Sequence, residues 1–386
     1  MKVVYISTML PSGHYSQILT CGLAKQEGLD LIVYTDKDPK NLNIKGCGEI
    51  KNIWRKGVLF IFDIVNNLVT DKPDVVHIQH EMNMYGSMLS AVAFPILPLM
   101  TRILGIPTII TIHGVPSLDQ INENFISIFG YNPAIIKPWM LKVYFRLLFG
   151  TMGVFSNKVI VHTELMRKVL IKDYGIRADK VVAIPTAIPH AKIYSEMRDK
   201  NFLYFGYMVR RKGLENVLEG FKKFLQRNPS SPYKLTLAGG VIKGQETAFE
   251  EIKDCINKLG INDKIEITGF VEQEKQNTLY DRCYAVVVPA ILSVAASGPL
   301  YHAYSHSRCP IASRLGNFEE EIQPGVTGIL TENNSWDSAF ETVVNNPELV
   351  SKIEKNLLEV AKRRSPEATA SEYYKLYASL IKERKI

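Results

Sequence analysis

Cysteine is scarce in this chain of 386 residues. The five are Cys21, Cys47, Cys255, Cys283 and Cys309, odd in number and scattered without metal-ligand spacing. That pattern argues against a disulfide scaffold and a zinc cluster, and a reduced intracellular chain is expected. Long uninterrupted apolar runs are missing too. The stretch Met88–Leu104 comes nearest to a membrane span, but Pro95, Pro98 and Arg102 interrupt it, so a buried helix pair is predicted there. The opening Met1–Ile6 is too short for a secretory apolar region and reads as a first strand. Dense Lys/Arg clustering, zinc-finger spacing and RNA-recognition signatures are absent, which argues against a nucleic-acid partner. No low-complexity tract or short-period repeat interrupts the chain.

What is there is ordinary soluble composition, 46% apolar and 22% charged, with a formal charge of +7. The small basic excess points to anionic partners: a nucleoside diphosphate, a lipid phosphate or an anionic membrane surface. At ~150 residues per domain the length suits two domains. Short Val/Ile-rich runs alternate with helical patterns: KVVYIS, DLIVYT, DVVHIQ, TIITIH and KVIVHT, then again FLYFG, YKLTLAGG, KIEITGF and AVVVPA. Such runs read as buried parallel strands joined by crossover helices. The predicted class is therefore α/β, with two Rossmann-like doubly wound domains. Pro185, Pro189 and the charged segment SEMRDKN punctuate the boundary, placing the domains at 1–195 and 196–366. A final helix is expected over 367–386, packed on the second domain by the simplest reading.

Candidate site residues sit where strands end. Gly13 and His14 follow the first strand and precede a helix, where a glycine permits a tight turn and a helix N-terminus can face an anion or hydroxyl. His113 ends TIITI, where ligands of open α/β sheets bind, so it can orient a sugar hydroxyl or share a proton; a structural histidine is the alternative. His77 reads as a core histidine, and His80 with Glu81 as the rim of a cleft. Gly206, Arg210, Arg211, Lys212 and Gly213 lie between the first strand of the second half and a helix over 214–226. Two arginines and a lysine there offer charge-assisted donors to a diphosphate without an obligatory metal. Ser297 and Gly298 open a further helix and make a phosphate seat. His302 and His306 share a helix face, a spacing that permits metal binding, but no third ligand is evident.

The order FGYMVRRKGLENVLEGF, LTLAGG, IEITGFVEQEKQNTLYDRCYAVVVPA, SGPLYHAYSHSRCPIAS and GNFEEEIQPGVTGIL, preceded by DVVHIQHE, TIITIHG and NKVIVHTELMRKVL, resembles the family-4 (group 1) retaining glycosyltransferases of GT-B fold. The resemblance covers nearly the whole chain. It implies two Rossmann-like domains facing a cleft, and transfer from a nucleoside diphosphate sugar to a lipid-linked or glycan acceptor with retention. It implies a donor-sugar role for His113 and a donor and acceptor role for the loop at Gly13. Lys212 matches the family's diphosphate lysine, and Arg210 stands in for an arginine whose frequent position falls on Val209. The family's last helix often crosses back onto the first domain, which carries the segment 367–386 with it.

One departure is large. The family's two glutamates, eight positions apart, fall on Ala295 and Ala303. Their loss leaves a catalytically weak GT-B partner subunit or sugar-binding protein as the alternative. Side-chain cations make a cofactor or metal unnecessary in the expected mechanism. The run KPWMLKVYFRLLFGTMGVFSNK, 137–158, interleaves Trp139, Tyr144, Phe145, Leu147, Leu148 and Phe149 with Lys137, Lys142 and Arg146. Such a run can lie in an anionic headgroup layer, or form a core-facing helix with a solvated basic side. The expected location is cytoplasmic, peripheral on the inner face of the cell membrane.

Overall fold

The computed structural model describes residues 1–9, 14–38, 44–82, 84–189, 198–242, 244–332 and 334–384. Gly13 lies outside them, as does the side chain of His14. Two compact units emerge. The first comprises Met1–Ile121, Lys137–Ala187 and Arg363–Ile386; the second comprises Asn122–Ile136 and Ile188–Lys362.

The first unit holds a parallel sheet of seven strands: β1 (Lys2–Ile6), β2 (Asp30–Asp36), β3 (Glu49–Trp54), β4 (Val75–His80), β5 (Thr108–Ile112), β6 (Lys158–Val161) and β7 (Val181–Ala183). Their order is β3-β2-β1-β4-β5-β6-β7. Central strands are buried on both faces because helices cover both, which is why β1, β4 and β5 read as short Val/Ile-rich runs. The direction of winding reverses between β1 and β4, and their carboxyl ends form the crevice where such sheets bind ligands. The last helix, Pro366–Arg384, belongs to this unit: Ala370, Tyr373, Tyr377 and Leu380 are buried with Val3, Tyr5 and Leu19. It lies so close to the helix His14–Leu23 that a Cβ on Gly22 would stand 2.2 Å from the Pro366 carbonyl oxygen.

The second unit repeats the plan with β8 (Asn201–Phe205), β9 (Lys234–Ala238), β10 (Ile265–Gly269), β11 (Ala285–Val288), β12 (Pro310–Ser313) and β13 (Ile329–Thr331), in the order β10-β9-β8-β11-β12-β13. Its winding reverses between β8 and β11. The helix Leu214–Arg227 buries Val217, Leu218, Phe221 and Phe224 against this sheet, an i, i+3/i+4 stripe that its sequence already displays.

Three expectations need correction. Cys21 and Cys47 are joined as a disulfide rather than reduced; the helix His14–Leu23 and the segment before β3 bring them together across 26 residues of sequence. The helices Met88–Ala93 and Ile96–Ile103 form the expected pair, broken at Pro95 with Pro98 inside the second helix, but the pair is only partly buried. Met88, Leu89, Val92, Ile96 and Ile103 are exposed. The segment 122–136, read as part of the first domain, belongs to the second unit.

Candidate active site residues

In the second unit the loop after β8 turns back at Gly206 and runs through a single 3-10 turn, Arg210–Lys212, into the helix Leu214–Arg227. Gly213 joins the two with φ of 61°. A side chain there would meet Ile291 at 2.5 Å, in addition to the left-handed strain. The loop after β9 approaches even more closely: a Cβ on Gly239 would stand 2.0 Å from the Gly206 carbonyl oxygen. The Ile291 amide donates to the Arg211 carbonyl at 3.0 Å, tying the loop after β11 to the basic turn. Backbone contacts thus hold the basic residues at the β8–β11 switch point.

The three cations have different surroundings. Arg210 is not free to receive a phosphate: its guanidinium forks onto Glu251, Nε at 2.9 Å and Nη2 at 2.5 Å. Among the described residues, the Arg211 and Lys212 side chains have neither an ion pair nor a hydrogen bond. Lys212 is half-buried. Burial, with Arg211 as a like charge beside it, pushes its ammonium down to about 7. An anion here would relieve both costs. Beyond β11, Ser297 caps the helix Gly298–Ser305 by position, yet its hydroxyl oxygen is buried and has no partner among the described residues. Gly298 faces open space. Pro299 comes within 3.9 Å of where a Gly206 Cβ would be, so the loop residues converge.

The motif positions expected to carry glutamates are occupied differently. The Ala295 carbonyl accepts from Asn317 Nδ2 at 3.3 Å. Ala303 is fully buried in the core with Leu300 and Tyr304. His302 lies 3.3 Å from Gln276, and His306 Nδ1 lies 2.6 Å from Asp281, so the helix Gln273–Arg282 takes both imidazoles. No cluster able to hold a metal ion exists among the described residues.

The first unit gathers histidines from strand ends. His113 follows β5, His162 follows β6, and His77, Gln79 and His80 lie on β4. His113 Nε2 is 2.8 Å from Gln79 Oε1, and its Nδ1 is 3.2 Å from His162 Nε2. Gln79 Nε2 continues to His77 Nε2 at 2.8 Å, and His77 Nδ1 reaches the Tyr377 hydroxyl at 2.7 Å. Tyr15 meets His113 and His162 edge-on, 4.9 and 5.0 Å between ring centres. Burial, reinforced by the neighbouring histidines, holds His113 well below the ordinary imidazole value; burial also pushes His77 and His80 down to about 3 and His162 to about 4. All four are neutral near pH 7.

His80 does not rim a cleft. It is buried against Phe94, ring centres 4.5 Å apart, with Nδ1 unpartnered among the described residues, while Glu81 is exposed. His113 is where the sequence places it, but both its ring nitrogens are occupied by protein. His162 and Gln79 were not singled out in the sequence reading. For His162 the signal was available in KVIVHT, a histidine ending a strand just as His113 does.

Residues 189–359 match the family model described as Glycosyl transferases group 1, and residues 14–192 match Glycosyltransferase Family 4. Among curated relatives, the mannosylfructose-phosphate synthase of Agrobacterium fabrum is 26% identical over 32% of this chain and 30% of its own length. The O-antigen chain mannosyltransferase RfbU of Salmonella typhimurium is 22% identical over 63% and 66%. The chain thus spans less than two thirds of each. The uncharacterized glycosyltransferase MJ1178 of Methanocaldococcus jannaschii is 23% identical over 90% of this chain and 88% of that one. Among solved structures, Anabaena HepE in complex with UDP superposes with a TM-score of 0.74 at 15% identity, covering 98% of this chain and all of that one. With two parallel-sheet units and both family domains in order, the chain belongs to the group 1 glycosyltransferases of GT-B fold.

Proposed function

We propose that this protein transfers a sugar from a nucleoside diphosphate sugar to a lipid-linked or glycan acceptor, with retention of configuration. The observation that carries the reading is the pair Arg211 and Lys212, held at the β8–β11 switch point without counter-ions among the described residues. A diphosphate supplies the charge they lack, and Ser297 and the amides opening the next helix add donors. Stabilising the leaving diphosphate is then the principal catalytic contribution, supplied by side-chain cations without a cofactor. Arg210 joins only by exchanging Glu251 for phosphate. Relatives support the class of donor: HepE has been crystallised with UDP and with UDP-glucose.

The acceptor is proposed to reach the first unit from a membrane at the inner face of the cell. The helix Pro138–Phe155 buries Phe145, Leu148 and Phe149 but exposes Trp139, Met140, Val143 and Leu147, with Lys137 and Arg146 also exposed. It packs against the helix Ile96–Ile103, which packs against the helix Phe60–Asp71. Leu59, Phe62, Leu89 and Ile103 extend the exposed apolar surface. No helix among the described residues is long and apolar enough to cross a membrane. Interfacial seating with cations drawn to anionic lipid suits this pattern.

Mass-spectrometric transfer assays over a panel of nucleoside diphosphate sugars, with the anomer of the product read by NMR, test the reaction. Transfer with retention is expected. No transfer and no nucleotide binding would favour the second reading, a non-catalytic partner subunit, for which the buried Ala303 speaks. Cosedimentation with anionic vesicles tests the surface: binding at low salt, lost at high salt and in Lys142→Glu with Arg146→Glu, is expected.

A further inference from the structure

The hydrogen bonds around His113 form one chain whose direction can be worked out atom by atom. It runs from the Ile184 carbonyl through His162, His113, Gln79 and His77 to Tyr377, all within the first unit. The Ile184 carbonyl only accepts, so His162 Nδ1, 3.1 Å away, carries a proton. Neutral His162 then offers only its Nε2 lone pair, and His113 Nδ1 has to donate to it. Neutral His113 is left with a lone pair on Nε2. Gln79 satisfies that lone pair only by presenting its amide nitrogen.

In the structure Gln79 presents Oε1 to His113 and its nitrogen to His77. With the oxygen towards His113, Nε2 of His113 must carry a proton. The His113–His162 pair then holds one proton more than two neutral rings can. The far end accommodates both cases. When the Gln79 nitrogen faces His113, Oε1 accepts from His77 Nε2–H, and the Tyr377 hydroxyl donates to His77 Nδ1. When the oxygen faces His113, the Gln79 nitrogen donates to His77 Nε2, and His77 Nδ1–H donates to Tyr377. Thr111 Oγ1, 2.7 Å from His77 Nε2, accepts from it in the first arrangement and donates to it in the second. Every ring nitrogen along the chain is satisfied in two arrangements that differ by one proton and one turn of an amide.

We propose that Gln79 is a positioning residue for His113: its carboxamide turns with the protonation of the His113–His162 pair, and at neutral pH it holds His113 as the neutral Nδ1–H tautomer. Since His113 has no ring nitrogen free, it acts on a substrate through the charge it acquires and the ring plane it keeps. In the glycosyl transfer proposed above, on which this consequence rests, an anionic group bound against the first unit beside His113 draws the extra proton in and turns the amide. The groups that bear on this equilibrium are His77 and His80 on β4, with Glu81 following; His162 after β6; Tyr15 on the helix His14–Leu23; Tyr373 and Tyr377 on the last helix; Tyr5 on β1; and Arg364, a like charge that disfavours a proton on His162. Burial favours the neutral arrangement until a negative charge arrives.

The test is 15N-histidine NMR on the full chain, with the His113 signals identified by their loss in His113→Asn. In the unmodified protein at pH 7 the proton is expected on Nδ1 of His113. Gln79→Glu presents acceptors to both neighbours, so a second His113 proton should appear on Nε2 and the titration midpoint should rise by about one unit or more. The acidic limb of the transfer pH profile should move with it. Gln79→Met, which can neither donate nor accept, should release the preference between tautomers. A neutral Nε2–H tautomer in the unmodified protein, or an unmoved midpoint in Gln79→Glu, overturns the proposal. If Gln79→Glu does not fold, the unmodified spectrum decides alone. The tautomer needs no activity to be read, so a chain that shows it yet transfers no sugar keeps the positioning role and loses the transfer reading.

Discussion

The two switch points of this molecule share a topology and differ in their electrostatics. At the crevice between β8 and β11, Arg211 and Lys212 stand without counter-ions among the described residues, the buried Ser297 hydroxyl is unsatisfied there, and a glycine faces open space. At the crevice between β1 and β4 and along the neighbouring strand ends, three buried histidines and the half-buried His113 are neutral, and His77, His113 and His162 satisfy one another through Gln79 and Thr111. The first arrangement is unfinished without an anion. The second is nearly complete within the protein and changes state by one proton. Each group's pKa is depressed by burial, and in each case a nearby anion raises it again: the lysine then keeps a charge it ordinarily carries, whereas the histidine pair takes up one that it lacks near pH 7.

The largest expected difference is in stability against pH. Each buried histidine has a folded value below its unfolded one of about 6.5, so its neutral form is favoured by folding. That stability is intact above about pH 6.5 and is lost as the pH falls towards the folded values, about 4 for His162 and about 3 for His77 and His80. Each contributes a slope of up to about 1.4 kcal/mol per pH unit, so together they cost the first unit several kcal/mol by pH 5. Lys212 titrates in another window: its folded value near 7 lies below the unfolded one, so the second unit gains stability as pH rises from about 7 towards 10. Denaturant unfolding at pH 5 and 7, read from Trp54 in the first unit and Trp336 in the second through single-tryptophan variants, should show the first unit losing far more. Equal losses would break the comparison.

Next in size is the backbone contact that builds the open site. Gly239→Ala forces a Cβ to 2.0 Å from the Gly206 carbonyl at a φ of +139°. Neither atom belongs to a flexible side chain, so ~3 kcal/mol or more should be lost from the second unit. Thermal unfolding monitored by Trp336 checks it, and a change below 1 kcal/mol would show that the loops are not pressed together as described.

Much of this was legible in sequence because central parallel strands are buried on both faces. DVVHIQ, TIITIH and AVVVPA announced β4, β5 and β11, and through them the positions of His80, His113 and Ser297. Strand β3, EIKNIW, was not legible: as an edge strand it is mostly half-exposed, and its polar residues hide the period. The basic turn at Arg210–Lys212 was legible as charge, but the pairing of Arg210 with Glu251 was not, since it joins residues 41 apart on different helical segments. The Cys21–Cys47 link was invisible for the same reason: spacing alone does not pair two of five cysteines. The histidine relay escaped because Tyr377 lies 300 positions from His77, and no local pattern reports a contact that the last helix makes by returning to β4.

Lys212→Ala sharpens the reading of the open site. A charge-assisted bond to phosphate is worth ~1.5–3 kcal/mol, so nucleoside diphosphate affinity should fall roughly tenfold or more by calorimetry. Affinity in the unmodified protein should weaken as pH rises above about 7, where free Lys212 loses its proton and binding must restore it. Lys212→Arg, charged throughout, should flatten that dependence. Unchanged affinity in a folded Lys212→Ala protein would remove the lysine from the site.

The smallest expected effect comes from the closed network. Tyr377→Phe removes one hydroxyl, the donor to His77 Nδ1 in the neutral arrangement, and leaves a buried lone pair unsatisfied. The ring still packs against His77 and Tyr373, so the apolar contribution is kept. The loss should be ~1–2 kcal/mol in denaturant unfolding followed by Trp54, the cost of a single unmade bond. The hydroxyl is the partner of His77 Nδ1 in both arrangements, donating in one and accepting in the other, so the loss should be similar at pH 5 and 7. A Tyr377→Phe protein as stable as the unmodified one would show that the hydroxyl only fills space, and that the last helix is not part of the histidine chain.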